Sequence, residues 1–368
     1  NSITISFRIS LFCSNFAIQY LLNRRMLEQI IEPTLLTQFK EALENSGNVV
    51  VTCHKSPDGD AAGSNLALKL ILDKLGKKAT VVTPDNVPED MVFLPGYDNI
   101  VSFAKDPEMA AETINAADLI CCLDFNGLSR LADMRELVAN AKCNKLMVDH
   151  HINPEPICNP ILSYPQMTST CELLYRILVA IGYSDMIDLD VATCIYTGMM
   201  TDTGNFSYNS NHAELYIIVA DLVRRGVDKD RIYKLTLGTS SEARMRLNCY
   251  AIAEKMRLFP SHKASLTILD KRDLRKFNYQ VGDTEALANM PLAIPTVVWS
   301  VFFREERGFV KVSMRSEGDF HVNTLCAKYF NGGGHANAAG GEYHGPLRGA
   351  IDTFHQILRD LTENNVTI

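Results

Sequence analysis

Short apolar runs alternate with amphipathic stretches along the first two-thirds of the chain. Val49-Val50-Val51-Thr52-Cys53 is a β-branched run that ends at His54. Residues 60–75 repeat apolar side chains at helical spacing and are followed by Gly76, a residue suited to a helix C-cap. Strands are predicted over 79–82, Leu119–Leu123 and 146–148. Ahead of them, Leu27, Ile30, Ile31, Leu35, Phe39 and Leu43 recur near one helical face between Met26 and Asn45. Further helices are predicted over 168–181, 189–200 and 212–225, the last closed by Gly226. Strands alternating with helices imply βα units and a mostly parallel sheet with helices on both faces.

The texture changes towards the C-terminus. Residues 240–258 read as one long helix, and a strand follows over 265–269. Residues 296–303 and 309–314 flank 304–308 as a hairpin. The expected organisation is α/β throughout. A parallel-sheet domain covers 26–238, a helical connector 239–261, and a smaller α/β domain 262–368. Residues 1–25 are moderately apolar, interrupted by Arg8 and closed by Arg24-Arg25 just before Met26. They read as an upstream extension, with Met26 as the start. No run reaches the ~18–20 uninterrupted apolar residues of a membrane span, so no membrane partner is expected.

The 368 residues suit two domains, and 46% hydrophobic content suits a real core. A formal net charge of −7 argues against a broad basic face for long duplex nucleic acid. A small phosphorylated ligand remains compatible, because bound cations reverse a local field. The ten cysteines form no C-x-x-C pair, and several sit in apolar runs. They read as reduced thiols of a cytoplasmic protein.

Four polar motifs fall at strand ends or helix starts, the edge of an open α/β sheet where ligands bind. They are His54-x-x-x-Asp58-x-Asp60, Asp124, Asp149-His150-His151, and Asp202 within Thr201-Asp202-Thr203-Gly204. Each has an ordinary alternative when taken alone. Asp60 would cap a helix, Asp124 would end a strand, and His54 would be a core histidine. Their joint occurrence favours a metal centre. Imidazole and carboxylate donors without thiolates favour Mn²⁺, with Mg²⁺ or Co²⁺ as alternatives. So many donors suit two ions ~3.5–4 Å apart sharing a carboxylate, an arrangement that activates water against a phosphate ester.

This ordered set resembles the DHH phosphoesterase superfamily. Gly332-Gly333-Gly334-His335-x-x-Ala338-Ala339-Gly340 resembles the GGGH signature of the DHHA1 domain that accompanies it. The resemblance spans residues 46–343. It implies that His54 and Asp58 hold one metal and that Asp60, His150 and Asp202 hold the other, with Asp124 bridging. It further implies that His151 faces the substrate phosphate and that Asp149 orients a ligating histidine. Arg315 and His335 match positions that contact substrate phosphates. An arginine fork suits phosphate oxygens, and Gly333 and Gly334 would let backbone N–H groups approach an anion. Ser313 and Ser316 are weaker candidates beside them.

Within the superfamily, the compact two-domain layout is similar to the NrnA-type subgroup. That likeness implies hydrolysis of short oligoribonucleotides and of 3′-phosphoadenosine 5′-phosphate (pAp). Phosphodiesterases for linear or cyclic dinucleotides are the alternative, and a non-catalytic metal- or nucleotide-binding module is a more distant one. The oligomeric state is open between monomer and homodimer. Trp299, Phe302 and Phe303 are expected to pack in a core rather than stack on bases.

Overall fold

A computed structural model describes residues 30–363. The extension over 1–25, the start at Met26 and the first turn of the helix expected from Met26 lie outside the described residues. The chain divides into two compact units between Thr239 and Ser240.

The first unit contains strands β1 (Asn48–Thr52), β2 (Lys78–Thr83), β3 (Val101–Ser102), β4 (Leu119–Leu123), β5 (Asn144–Asp149) and β6 (Ile161–Ser163). Its main helices are α1 (Pro33–Glu44), α2 (Gly59–Lys74), α3 (Pro107–Asn115), α4 (Arg135–Asn140), α5 (Thr170–Ala180), α6 (Leu189–Asp202), α7 (Ala213–Arg224) and α8 (Lys229–Leu235). The strands form one parallel sheet in the order β3-β2-β1-β4-β5-β6. A parallel sheet must be covered on both faces, and alternate residues of each strand serve the two layers. Val49, Val51, Cys121, Leu146 and Val148 pack with α1, α2, α5 and α6. Val50, Ile120, Cys122 and Met147 pack with α3 and α4. Strand order switches direction between β1 and β4, so the chain leaving these neighbours opens a crevice at their C-terminal ends.

Helices α2 and α6 pack against each other through glycine. A Cβ at Gly59 would lie 2.3 Å from Thr201 Oγ1, and one at Gly63 would lie 2.5 Å from the Cys194 carbonyl oxygen. Gly198 makes the same kind of approach from α6. This contact brings the first turn of α2, with Asp60, beside the last turn of α6, with Asp202.

The second unit contains α9 (Glu242–Tyr250), β7 (Met256–Phe259), β8 (Ala264–Leu269), α10 (Lys271–Lys276), β9 (Trp299–Glu305), β10 (Val310–Ser316), α11 (Val322–Tyr329), β11 (Gly333–His335), β12 (Ala338–Tyr343) and α12 (Leu347–Glu363). Its sheet runs β11-β12-β10-β9-β8-β7, antiparallel except for β8 beside β9. Helices α11 and α12 cover one face, over Val301, Phe303, Val312 and Met314. Trp299 and Phe303 are buried in that layer, and Phe302 is buried on the opposite face against Leu287 and Ala288. All three are core residues, as the sequence suggested.

The single helix expected over 240–258 is corrected. Helix α9 ends at Tyr250, a π turn occupies Ala251–Lys255, and Met256–Phe259 is an edge strand paired with Phe259↔Ala264 and Met256↔Thr267. Pairing with a remote strand overrides the local helical preference there. The second sheet therefore begins before residue 262. Among the described residues, no helix is long and apolar enough to cross a membrane.

Candidate metal centre

Four chain segments converge at the C-terminal edge of the first sheet. His54 leaves β1, Asp124 leaves β4, Asp149 ends β5, and Asp202 ends α6. The loop after His54 turns through Ser56 at φ +52°, and the Ser56 N–H donates to Asp85 Oδ2 at 2.7 Å. Asp58, not Asp60, then caps α2. Its Oδ1 accepts the N–H groups of Asp60 and Ala61, each at 3.0 Å. Its other oxygen, Oδ2, is 3.9 Å from His54 Nε2.

Asp60 turns inward to the start of α5. Its Oδ2 accepts the Thr170 N–H at 2.6 Å, and its Oδ1 accepts the Cys171 N–H at 2.9 Å. Asp124 has a left-handed backbone, φ +63°, which aspartate tolerates better than most residues. Its two oxygens face different histidines. Oδ2 is 3.4 Å from His54 Nε2, and Oδ1 is 3.6 Å from His150 Nε2. His150 Nε2 is also 3.5 Å from Asp202 Oδ2 and 4.0 Å from Asp60 Oδ2. Three donor triads result in this unit, His54–Asp58–Asp124, Asp60–His150–Asp202 and Asp124–Asp149–His151, each with its ligand atoms within 4.8 Å of one another.

Both histidines in the first two triads have their Nδ1 atoms near backbone carbonyls. His54 Nδ1 is 2.7 Å from the Lys55 oxygen, and His150 Nδ1 is 3.3 Å from the Met167 oxygen. A proton on Nδ1 leaves the Nε2 lone pair turned towards the carboxylates, the tautomer a metal requires. Of the two histidines beside it, Asp149 holds His151. Its Oδ1 pairs with His151 Nδ1 at 2.7 Å, while the Met167 carbonyl is the group that orients His150. Sequence reasoning also passed over Thr170, whose hydroxyl donates to Asp124 Oδ1 at 3.0 Å.

Among the described residues of this unit, the ion-pair partners of these carboxylates are histidines rather than lysine or arginine. Burial pushes Asp60 up from the usual carboxylate range, and it pushes Asp124 and Asp202 well above it, with neighbouring carboxylates adding to the rise. Burial works against a charged His150, but Asp124, Asp60 and Asp149 prevail and raise its pKa. Crowded, desolvated carboxylates of this kind call for a cation. Oxygen and imidazole donors with no thiolate fit a hard or borderline divalent ion.

The DHH family N-terminal domain matches residues 48–199, and the DHHA1 domain matches residues 266–364. An exopolyphosphatase-related protein from Bacteroides fragilis is 41% identical, with a TM-score of 0.87 over 90% of this chain and 98% of that one. The chain belongs to the DHH family. A probable bifunctional oligoribonuclease and PAP phosphatase NrnA of Streptococcus mutans is 28% identical over 83% of this chain and 93% of its own length. The cyclic-di-AMP phosphodiesterase PdeA of Listeria monocytogenes is 23% identical over 82% of this chain and 45% of its own length.

The DHHA1 unit carries the remaining candidates. Arg315 on β10 and His335 on β11 both stand opposite Ala338 of β12. Residues directly opposite across strands share a face, so Arg315 and His335 flank Ala338 on one side of this sheet. Arg315 is half-buried, and His335 is exposed. The glycine run is itself strand β11, in a hairpin with β12. Gly334 sits at φ +141°, where a Cβ would lie 2.4 Å from the Ala338 oxygen, whereas Gly333 faces open space. Gly334 thus serves the hairpin's close approach, and Gly333 is the position where the strand leaves room beside its Cα. Ser316 donates to the Phe320 carbonyl, which ties it into its own loop. Ser313 shares the face of Arg315, two residues before it on β10.

Proposed function

We propose that this DHH protein is a divalent-metal-dependent phosphoesterase that hydrolyses short oligoribonucleotides and pAp. The observation that carries the reading is Asp124, whose two oxygens face two separate donor triads from 3.4 and 3.6 Å. His54, Asp58 and Asp124 would hold one ion, and Asp60, His150 and Asp202 the other, with Asp124 shared. Mn²⁺ suits the mixed imidazole and carboxylate set best, with Mg²⁺ or Co²⁺ as substitutes. Ions bound there would supply Lewis-acid charge against the negative charge that develops on the phosphate.

The chain's own residues do the rest. Asp149 fixes the His151 ring through Nδ1 and leaves Nε2 to hand a proton to the leaving oxygen. Arg315 offers a planar fork to a phosphate, and His335 adds a second contact from the same sheet face. Substrate is thereby held by its phosphates, which admits short chains of varied sequence. Among the described residues the nine cysteines are all free, which fits a cytoplasmic site of action.

Support for short RNA and pAp comes from the Streptococcus relative, matched over nearly its whole length. The second reading is hydrolysis of linear or cyclic dinucleotides, and the Listeria relative, named for cyclic-di-AMP, supports its cyclic arm. A panel of pAp, di- to pentaribonucleotides and linear and cyclic dinucleotides, assayed with Mn²⁺ and with EDTA, separates the two. Turnover of pAp and short RNA that EDTA abolishes is the expected result. Turnover confined to dinucleotides would transfer the assignment to the second reading, and no Mn²⁺-dependent turnover at all would overturn both.

A further inference from the structure

We infer that Thr170 is a positioning residue of the metal centre, holding Asp124 and Asp60 in the orientation that a divalent cation meets. The inference rests on the metal reading above and extends it to a residue outside the donor set. Thr170 is fully buried at the first position of α5. Its hydroxyl donates to Asp124 Oδ1 at 3.0 Å, and its backbone N–H donates to Asp60 Oδ2 at 2.6 Å. One residue therefore touches the carboxylate facing the first two triads and a carboxylate of the second triad.

The geometry explains why a hydroxyl stands here. The opening N–H groups of a helix have no partner inside it. Ser169 caps α5 by accepting the Glu172 N–H at 3.0 Å, so the Thr170 N–H is left for Asp60. Asp124 leaves β4 through a left-handed residue, and rotation of its carboxylate would exchange the oxygens that face His54 and His150. A hydrogen bond to Oδ1 alone removes that freedom. The donor is also neutral. A lysine or arginine in its place would neutralise the charge that attracts a cation, whereas a threonine hydroxyl orients the anion and leaves its charge intact.

The test compares Thr170→Val, which keeps shape and loses the hydroxyl, with Thr170→Ser, which keeps the hydroxyl. Mn²⁺ is titrated calorimetrically into the metal-free full chain, and thermal unfolding in EDTA reports folding. The expected result is a loss of about 10- to 100-fold in Mn²⁺ affinity for the valine variant, the range for outer partners of metal ligands. The serine variant should recover affinity close to wild type. If the valine variant does not fold, Thr170→Ala against Thr170→Ser gives the same comparison. Equal Mn²⁺ affinity with and without the hydroxyl overturns the inference and leaves the metal reading standing. A wild-type chain that binds no Mn²⁺ overturns the metal reading itself, and the inference with it.

Discussion

Glu172 and Asp60 meet helix α5 within its first turn, and the fold treats their charges in opposite ways. Glu172 is completely buried and faces Arg176, also buried, at 2.6 Å from Nη2 and 3.0 Å from Nε. Thr168 adds donors at 2.9 Å from its backbone and 2.7 Å from its hydroxyl. Burial would raise the Glu172 pKa, but Arg176 and Thr168 more than offset it and hold the carboxyl below its usual range. Asp60 and Asp124 are as deeply buried, yet receive only neutral donors from α5, and their pKa values rise. One acid is closed off by a cation that the protein supplies. The others are driven towards protonation, and a bound divalent cation is what would hold them ionised.

The largest effect should come from breaking the open side of this comparison. Asp124→Ala is expected to lower Mn²⁺-dependent hydrolysis of pAp by more than the ~100-fold that loss of an outer partner costs. Its melting temperature in EDTA should not fall, because the substitution removes a desolvated carboxyl crowded by other carboxylates. Retained turnover in single-turnover assays would erase the distinction between the two acids.

Breaking the closed side should act on stability instead. Glu172→Ala strands Arg176 in the interior and is expected to cost about 3–5 kcal/mol in urea unfolding. Because the folded pKa of Glu172 is lowered, the pair's contribution is complete above the ordinary glutamate range. It is lost as pH falls through the lowered value. The acid side of the wild-type stability profile should therefore flatten in Glu172→Gln. A variant whose profile parallels wild type would show that the pair contributes nothing.

Smaller effects sharpen the contrast. Mn²⁺ at about 100 times its Kd should stabilise wild type by about 2.7 kcal/mol in the same urea experiment. The increment should survive in Glu172→Gln and shrink in Asp124→Ala. Arg315→Ala removes a charged hydrogen bond of about 1.5–3 kcal/mol, which corresponds to roughly a 10- to 100-fold fall in kcat/KM. Its Mn²⁺ affinity should be unchanged, and a weakened metal site in this variant would remove Arg315 from a phosphate-binding role.

These features were unevenly visible in the chain itself. Strand β4 could be bounded at Leu119 and Leu123 because a parallel strand buried on both faces is an unbroken apolar run. The polar residue straight after such a run lands at the binding edge, which is why Asp124 and the 149–151 triplet stood out. Strands β3 and β6 are two and three residues long and carry no periodic signal. Residues 256–259 owe their strand to β8, a partner that local pattern does not contain. Thr170 escaped for a related reason. A threonine at a helix start reads as ordinary helix-end chemistry, and its true partner lies 46 residues earlier in the chain. Asp149 sits beside two histidines, and adjacency could not say which of them it would hold.

The glycine contact between α2 and α6 bears on how this protein tolerates mutation. Glycine to alanine at position 198 adds one methyl group and ranks as conservative on any substitution scale. Here that methyl would arrive 2.3 Å from Cys171 Sγ and 2.7 Å from Asp60 Oδ1. A survey restricted to acids, histidines and hydroxyls would pass over a residue that offers no side chain at all. Sensitivity to variation around this centre therefore extends to positions whose contribution is the space they leave empty.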